Sequence, residues 1–568
     1  MVIGGVSTGA PGRVDSAAVR RTFDSVTSQT AGNWVLSVTI VGTSDAGIDE
    51  ALTALLGSAP AGHAKVRTQP EGTALASAFA AALEEAGSPA VTFLEPGDEL
   101  EPDAVARLSA AVVDADVAYA DEDRISPDGL VSTPVLKPDW SPELLVSWCY
   151  LGRPTVLRVA PVIAAGGIRP LSEGDWEHDL LLRVTERTNR VAHVADVLCH
   201  RAITDRSAGP AAVVEALARR GEPASVVPGP LASTWRVRRR PASRTPVSVS
   251  AIVPFKDSTT LLRACATSLS EGASPSLSEG ASRSQREGEE GEDRGEGGEG
   301  EGRQVDLELV LVDNGSTEPE TATLLDLLVS RLGRKHRVVV RRDDRPFNWS
   351  ALNNAAAAEA RGEVLLFVND DVQGGTPGWL GLLVAQAVRP DVAAVGPRLV
   401  YPDGRLQHAG VVLGLAGATG HVLAGLEPGR PGYLGMSVLT RDVSAVTGAC
   451  MATRRALFEQ LGGFDEALGL DFNDVDYCLR ARRRGLRVLL EAGAELVHHE
   501  SPSRGTSGSE ETAAAFMARW GLAVAEGDPF YNRNLSHVDF SAALDEPGPV
   551  LAGALREPSE APGARSMC

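Results

Sequence analysis

Two adjacent acids follow an apolar run in the stretch "GEVLLFVNDDVQGG", residues 362–375. A buried strand does not tolerate Asp370 and Asp371, so they mark a solvated strand end or a place where a metal ion meets a phosphate. Carboxylate oxygens are hard ligands that suit Mg²⁺ or Mn²⁺. Asp313 likewise ends the run "LELVLVD", and Pro254 ends the run "VSVSAIVP".

The elements that carry these residues alternate between apolar strands and helices. Strands that are apolar on both faces and separated by helices predict a parallel sheet covered on both sides. The segment 348–362 is predicted to be a helix, with Asn348 as N-cap and Gly362 as its stop. Because ligands of such sheets bind at the carboxyl ends of the strands, Pro254, Asp313 and Asp370 should gather along one edge.

Composition narrows the possible classes of protein. The chain has 568 residues and 43% hydrophobic residues, enough for three or four domains with ordinary cores. The net charge of −21 disfavours nonspecific binding to nucleic acid or to an anionic membrane surface. Six cysteines without a CxxC pair predict neither a disulfide framework nor a zinc site, and a reducing cytosol is expected. We expect neither a signal peptide nor a membrane-spanning helix.

Two segments have the pattern of α/β units, residues 1–205 and 247–540. Between them, residues 206–246 are rich in Pro, Ser and Arg and predict a linker. Residues 271–303 hold ten acids against four arginines and almost no apolar side chain, which predicts a disordered insertion in the second unit. The tail, 541–568, is also predicted to be disordered.

The motifs of the second unit occur in the order of a known family. "SAIVPFKD", "LVLVDNGST", "FNWSALNNAAAAEARGEVLLFVNDDV", "SAVTGACMATRRALFEQLGGFDE", "FNDVDYCLRARRRG" and "ELVHHESPSRG" resemble the family-2 glycosyltransferases of GT-A fold. The likeness is strongest to bacterial rhamnosyltransferase-like enzymes of O-antigen and cell-wall polysaccharide synthesis. It implies an α/β fold class with two GT-A domains in tandem, the nucleotide-diphospho-sugar transferase type of Rossmann-like sheet.

The resemblance implies a metal and donor site. Asp371 matches the last acid of the family's DxD motif and would hold Mg²⁺ or Mn²⁺, with His498 as a further ligand. Asp370 would help to bind the ribose or phosphates of the donor. Asn369 replaces the first acid of the motif and keeps a hydrogen-bonding side chain toward the donor. The alternative for the acids is a solvated strand end.

The resemblance also assigns roles around the nucleotide. Asp313 would accept a hydrogen bond from the base, and uracil or thymine N3–H fits this role. Pro254 would line the nucleotide cleft with its backbone. The alternative for "DNGST" is an Asx-type turn. His408 and His421 are expected to be packing or loop residues.

The catalytic base and the sugar region follow from the same likeness. Asp474 would take the proton of the acceptor hydroxyl in an inverting transfer. Asp476, two residues on, is grouped with the sugar region or serves as a cap or orienting group. Gly448 and Ala449 in "TGAC" would lie beside the acceptor and the donor sugar, where small residues permit a ring to approach. The alternative for both aspartates is simple capping of a helix.

The first unit resembles the same family in a degraded form. The metal motif is "EPGDE" and retains Asp98, and the base position holds Glu177, His178 and Asp179. Where the base-binding acid is expected, the chain has "VGTSD". We interpret this unit as degenerate, structural or acceptor-binding rather than as a second active site.

The resemblance therefore implies an inverting, metal-dependent hexosyltransferase of the cytoplasm, either free or peripheral at the inner face of the cell membrane. Its partners would be a UDP- or dTDP-sugar, with dTDP-rhamnose the first candidate, and a glycan or lipid-linked acceptor, but no nucleic acid. Two alternatives stay open, a non-catalytic carbohydrate-binding scaffold and a chain with two active domains of different specificity. A sugar nucleotidyltransferase would need a Gly-rich phosphate loop, which "IVPFKDST" lacks.

Overall fold

The structure is a computed structural model of the chain. It describes residues 2–4, 15–42, 44, 46–84, 87–125, 134–171, 175–202, 209–241, 245–274, 305–500 and 510–544. Most of the acidic segment and the last residues of the tail, which were predicted to be disordered, lie outside these ranges.

The first half contains eight strands and seven helices within the described residues. The strands are β1 (Val2–Gly4), β2 (Val35–Val41), β3 (Ala64–Gln69), β4 (Ala90–Phe93), β5 (Glu99–Leu100), β6 (Val117–Ile125), β7 (Thr155–Arg158) and β8 (Val191–Ala202). The helices are α1 (Ser16–Thr27), α2 (Ala46–Ser58), α3 (Leu75–Glu84), α4 (Ala104–Ala111), α5 (Pro142–Ser147), α6 (Val159–Ala164) and α7 (Trp176–Thr185).

The segment predicted to be a linker is folded. It forms helix α8 (Ala211–Arg219) and a hairpin of β9 (Ala224–Pro228) and β10 (Trp235–Arg239). Ala212, Leu217 and Trp235 are buried in a core cluster of the first half. The linker prediction is therefore wrong for these residues, because the Pro- and Arg-rich composition concealed an alternating apolar pattern on one face.

The second half begins with three strand–helix units, which are followed by two strands and a helix. These elements are β11 (Val247–Phe255), α9 (Thr259–Gly272), β12 (Val305–Asp313), α10 (Pro319–Leu332), β13 (Arg337–Arg342), α11 (Trp349–Ala357), β14 (Val364–Val368), β15 (Val372–Gln373) and α12 (Trp379–Ala387). Helix α9 continues through the first two residues of the acidic segment, so the predicted insertion begins later than expected.

The rest of the second half adds short strands and three helices. These are β16 (Val392–Val400), β17 (Leu406–His408), β18 (Val411–Leu413), β19 (Thr419–His421), β20 (Arg441–Asp442), β21 (Cys450–Arg454), α13 (Arg455–Leu461), α14 (Asn473–Arg482), β22 (Arg487–His498) and α15 (Glu510–Glu526). Two 3₁₀ turns, Leu415–Gly417 and Tyr433–Gly435, lie between them.

The main sheets of the two halves have the same strand order. The first runs β3-β2-β1-β4-β7-β6-β8-β5, and the second runs β13-β12-β11-β14-β21-β16-β22-β15. With helices covering the sheets, the predicted α/β fold class is confirmed. The correspondence supports the interpretation of the halves as a tandem of GT-A domains.

The second sheet is mixed, whereas a parallel sheet was predicted. Strands β13, β12, β11 and β14 are parallel, but β21 runs antiparallel to β14 and pairs Cys450 with Val368. Strand β21 therefore starts where β14 ends, and this brings the segment before Cys450 beside the segment after Val368. The antiparallel strand is what joins two distant motifs at one sheet edge.

Helix α11 confirms one predicted boundary and corrects the other. The side chain of Asn348 accepts a hydrogen bond from the backbone N–H of Ala351 and caps the helix as predicted. The helix ends at Ala357, however, so Gly362 is not its stop. Instead a Cβ at Gly362 would lie 2.4 Å from the backbone nitrogen of Ser250, which shows that glycine is required there for close packing.

A buried polar network joins the two halves. One carboxylate oxygen of Asp442 accepts hydrogen bonds from the Ser141 hydroxyl at 2.7 Å and the Glu143 backbone N–H at 3.0 Å. Its other oxygen lies 2.6 Å from the Arg487 guanidinium, and Arg389 approaches the Glu143 carboxylate at 2.7 Å. These buried charges have partners from both halves, so the halves stabilise each other.

Among the helices within the described ranges, none is both long and apolar enough to cross a membrane.

We expect Asp442→Ala to lower the free energy of unfolding by about 3 kcal/mol, because it leaves the buried Ser141 hydroxyl without its acceptor and removes the nearest of the carboxylates around Arg487. Urea unfolding measures this. Asp403→Ala is the matched control, since Asp403 pairs with Arg405 and both side chains are about half exposed; its effect should stay within about 0.5 kcal/mol. Equal effects of the two substitutions would contradict a stabilising junction.

Candidate active site

The strand pairing of β15 and β22 brings Asp371 to His498. Val372 pairs with His498, and the backbone N–H of His499 donates to the carbonyl of Asp371 at 3.0 Å. The carboxylate Oδ1 of Asp371 then lies 3.1 Å from Nε2 of His498. Asp371 is only 1% exposed, so its charge needs a positive partner nearby.

The second ring nitrogen of His498 determines what the first can do. Nδ1 lies 2.6 Å from the amide oxygen of Gln407, which can only accept, so Nδ1 carries a proton. Nε2 is buried and makes no hydrogen bond of good geometry within the described residues, although Asp371 is close. An imidazole held through one nitrogen, with the other facing a carboxylate, is the arrangement of a metal-binding histidine.

The residues fit a divalent cation that takes most of its ligands from a substrate. The part of the chain that the structure describes has no group of three or more His, Cys, Asp or Glu side chains able to hold a metal. Mg²⁺ and related hard cations commonly use one or two protein ligands and complete their shell with phosphate oxygens and water. Asp371 and His498 would hold the ion on that basis.

A cleft of about 1190 Å³ opens beside these residues. Pro254, Asp370 and Arg342 line it, as the sequence predicted for Pro254 and Asp370. Asp313 lies at the end of β12 below this cleft, where Oδ1 accepts the backbone N–H of Ser316 at 2.8 Å. Its Oδ2 lies 2.9 Å from the guanidinium of Arg342. Both carboxylate oxygens of the base-binding candidate thus accept hydrogen bonds within the protein, one of them from an arginine that also lines the cleft.

Asn369 does not face the cleft as predicted. Its side chain is buried, and its Oδ1 accepts a hydrogen bond from the indole N–H of Trp349 at 3.1 Å. An asparagine supplies this acceptor without adding a third charge to two neighbouring aspartates. The side chain therefore positions Trp349. Its Oδ1 does not face the sugar-nucleotide donor, which corrects the sequence-based assignment.

Trp349 is a site residue that the sequence motifs did not reveal. It lines the cleft and packs against Gly448, where an added Cβ would lie 3.0 Å from the indole ring. Its position in "FNWSALNN" carried only a helix signal, because an aromatic residue in a first helical turn is usually part of the core. Its contact with both motifs depends on tertiary packing.

Asp474 lies next to the glycine and alanine of "TGAC". Its Oδ2 accepts the backbone N–H of Gly448 at 2.6 Å, and Oδ1 accepts the N–H of Val475 at 2.8 Å. The carbonyl of Ala449 in turn accepts the N–H of Asn369 at 3.0 Å. The candidate base is thus linked through one backbone segment to the motif that contains Asp371. Burial raises the pKa of Asp474, which brings it closer to that of a useful general base.

Asp476 is not part of the sugar region. It is 0% exposed, and its carboxylate binds Arg480 at 2.7 Å, Arg519 at 2.7 Å and the indole N–H of Trp520 at 2.9 Å. Two of these partners belong to α15. The side chain therefore fixes α15 against α14, and the orienting role that the sequence left open is the one observed.

Two histidines predicted to be packing or loop residues lie close to the site. His408 and His421 have their Nδ1 atoms 3.3 Å apart, and the backbone N–H of Thr447 points to Nε2 of His408 at 3.5 Å. Burial lowers the pKa of both rings, so they are neutral. His421 interacts electrostatically with Asp474. The motif "LQHAGVVLG" was the available signal for His408, and His421 lies outside it.

The comparisons with known proteins agree with the sequence motifs. Residues 303–462 match the profile "Glycosyl transferase family 2". The chain is 38% identical over 469 residues to the O-antigen biosynthesis protein RfbC of Myxococcus xanthus, covering 78% of this chain and 34% of the relative. It is 36% identical over 551 residues to protein y4gI of Sinorhizobium fredii, covering 92% and 56%. The chain thus spans about a third and about half of these relatives.

Two further likenesses are more limited. An N-acetylglucosaminyl-diphospho-decaprenol L-rhamnosyltransferase of Mycobacterium tuberculosis is 30% identical over 158 residues, which cover 26% of this chain and 51% of the relative. A solved structure of GalNAc-T7 with UDP, GalNAc and Mn²⁺ matches 54% of each chain at 15% identity and a TM-score of 0.37. At that TM-score the structural likeness adds nothing to the assignment. The profile match identifies residues 303–462 as a glycosyltransferase family 2 domain, and the sequence matches agree with it.

We expect Gln407→Leu to weaken Mn²⁺ binding, measured in the presence of UDP, by about 10- to 100-fold, because His498 loses the acceptor that orients its ring. Titration calorimetry gives the affinity. His499→Ala is the control, since the His499 ring contacts Gln373 and not Asp371. An unchanged Mn²⁺ affinity in Gln407→Leu would show that His498 is not a ligand.

Proposed function

We propose that the second half of this chain is an inverting, metal-dependent glycosyltransferase that uses a nucleotide-sugar donor. The observation that carries the proposal is that the pair Asp371–His498 and the candidate base Asp474 border one site, linked by the Gly448–Ala449 backbone. The membership in a glycosyltransferase family supports the same activity.

The proposed reaction follows from these positions. The acceptor hydroxyl attacks the anomeric carbon, and Asp474 takes its proton while the bond from that carbon to the diphosphate oxygen breaks. Two backbone N–H groups hold both oxygens of Asp474, so the carboxylate is already oriented before substrate binds. A divalent cation at Asp371 and His498 would offset the charge of the departing nucleoside diphosphate.

The pairing of Asp313 with Arg342 supports a pyrimidine nucleotide. A carboxylate acceptor beside a guanidinium donor matches the N3–H and the adjacent carbonyl of uracil or thymine. Guanine presents N1–H and N2–H₂ side by side and would use both oxygens of one carboxylate, whereas Oδ1 of Asp313 already accepts the backbone N–H of Ser316. We therefore infer a UDP- or dTDP-sugar, with dTDP-rhamnose the first candidate because one relative is named an L-rhamnosyltransferase.

The names of the relatives suggest the class of acceptor. One is an O-antigen biosynthesis protein, and another acts on a sugar linked to decaprenol diphosphate according to its name. We infer that this chain transfers to a hydroxyl of a growing cell-surface polysaccharide or lipid-linked glycan. Such an acceptor would bring the enzyme to the inner face of the cell membrane.

Asp474→Asn tests the proposal. We expect kcat for Mn²⁺-dependent sugar transfer or donor hydrolysis to fall by about 10²- to 10⁴-fold, with little change in donor affinity. The wild-type kcat should fall as the pH drops through the pKa of Asp474, and because burial raises that pKa, the decline should begin at a higher pH than for an exposed aspartate. A series of UDP-, dTDP- and GDP-sugars supplies the donor.

The neighbouring substitution Asp471→Asn serves as the control and should keep the wild-type rate and pH profile. If Asp474→Asn retained the wild-type kcat, Asp474 would not be the base. If no sugar nucleotide in the series were turned over or bound, the proposed function itself would be wrong.

Arg342→Ala tests the choice of base. We expect KM for a UDP- or dTDP-sugar to rise about tenfold, since a charge-assisted hydrogen bond to the base carbonyl is lost. Steady-state kinetics with paired UDP- and GDP-sugars measures the change in preference. Arg345→Ala is the matched control, because Arg345 also lines the cleft but pairs with Asp343 at 2.7 Å. Equal losses for both nucleotides would exclude Arg342 as a reader of the base.

A further inference from the structure

Strand pairing allows a residue-by-residue comparison of the two sheets. In the first half β4 and β7 pair Ala90 with Arg158, and in the second half β14 and β21 pair Val364 with Arg454. Five residues before each arginine, the first half has Arg153 where the second half has Ala449. The glycine that precedes each of them is retained. A large charged side chain thus replaces a small one at the centre of the site.

The acids of the site also correspond. Glu99 pairs with His200 as Val372 pairs with His498, so Asp98 takes the place of Asp371. Glu177 is the second residue of α7, as Asp474 is the second residue of α14. The first half therefore keeps an acid at each of the two decisive positions.

Arg153 lies among these acids. Its guanidinium is 2.6 Å from Asp98, 2.9 Å from Glu95 and 3.4 Å from Glu177. The arginine is only 3% exposed, and Asp98 and Glu95 are buried with it. A planar guanidinium with several donors satisfies carboxylates from more than one direction. It supplies the positive charge that the corresponding acid of the second half would receive from a metal ion.

The histidine of the first site is also engaged. Nδ1 of His200 lies 2.8 Å from Asp123, and Nε2 lies 3.0 Å from Glu101. These two hydrogen bonds raise the pKa of His200 to about 10, so the ring is protonated on both nitrogens. His498 has only one ring nitrogen committed to a hydrogen bond. His200 therefore has no ring nitrogen left to bind a metal.

Little space is left around Arg153. The cavity lined by Arg153, Trp176 and Glu177 holds about 20 Å³, room for about one water molecule. Strand β2 ends at Val41 and is followed by Gly42, whereas β12 ends in the acid Asp313. A metal ion does not fit the described residues around Arg153.

We propose that Arg153 replaces the cation of a former donor site and closes it, so that the first half binds neither a divalent cation nor a sugar nucleotide. The chain then has one metal site, at Asp371 and His498. That the chain has one metal site rests on the proposed function. The closure of the first site by Arg153 rests only on contacts within the first half. The Glu95, Asp98 and Glu177 carboxylates lose their cation when Arg153 is removed, and a divalent ion then becomes their available partner.

The experiment counts Mn²⁺ bound per chain in the presence of UDP, by electron paramagnetic resonance of the free ion. We expect one ion for wild type, none for Asp371→Asn and one for Asp98→Asn. Mn²⁺ bound by Asp371→Asn, or lost in Asp98→Asn, would overturn the closure of the first site. If wild type neither bound Mn²⁺ nor turned over a donor, the proposed function would be wrong. The closure of the first site would then be tested by the Arg153 variant.

The combined variant Arg153→Ala, Asp371→Asn should melt at a lower temperature than Asp371→Asn, and Mn²⁺ should raise that melting temperature by binding the exposed acids. Arg183→Ala in the same background is the matched control: Arg183 is a buried arginine paired with Asp179 at 2.7 Å, and its loss should destabilise without a response to Mn²⁺. Equal responses, or none in the Arg153 variant, would contradict the proposal.

Ala449→Arg supplies a second measurement if the Arg153 variant does not fold. An arginine introduced at the corresponding position of the second half should abolish Mn²⁺ binding while the melting temperature stays close to that of wild type. Retention of Mn²⁺ binding by a folded Ala449→Arg protein would show that an arginine at this position does not displace the ion, which overturns the proposal.

Discussion

Buried carboxylates at the carboxyl ends of parallel strands need a positive charge, and the two halves of this chain meet that need differently. In the second half Asp371 faces His498, which is oriented by Gln407, and a divalent cation held by the two would supply the charge. In the first half Arg153 provides the charge from within the chain. Because the protein itself supplies the charge, no place is left for an ion from solution. Arg153, together with the fully hydrogen-bonded His200, separates the closed site from the open one.

The topology explains why so few residues decide the outcome. Both sheets insert an antiparallel strand next to the strand that ends in the metal motif, so the segment before that antiparallel strand always borders the acids. Ala449 in this segment leaves space and offers its carbonyl to Asn369. An arginine at the same position reaches the acids directly, because its length matches the distance across the site. The closed half retains a structural role, since its Ser141 and Glu143 bind Asp442 of the other half.

Side chains that do not touch a substrate organise those that would. Asn369 holds Trp349, and Asp476 holds α15 through Arg519 and Trp520. Both were grouped with the substrate contacts from sequence, since a motif identifies a position but not the direction of its side chain. The direction of a side chain depends on which neighbour offers it a hydrogen-bond donor. For Asp476 one such neighbour is Arg519, which lies 43 residues further along the chain.

The sequence by itself determined the α/β class, the strands that end at Asp313 and at the paired acids, and the cap of α11, because apolar runs and capping residues are local signals. It also indicated that the first half had lost part of its motif. Only the tertiary structure decided that Arg153 fills the first site, that residues 211–239 form a helix and hairpin, and that β21 runs antiparallel to β14. These features depend on contacts between residues far apart in the chain. Whether such residues fit one another in charge, volume and strand direction cannot be recognised within a short stretch of sequence.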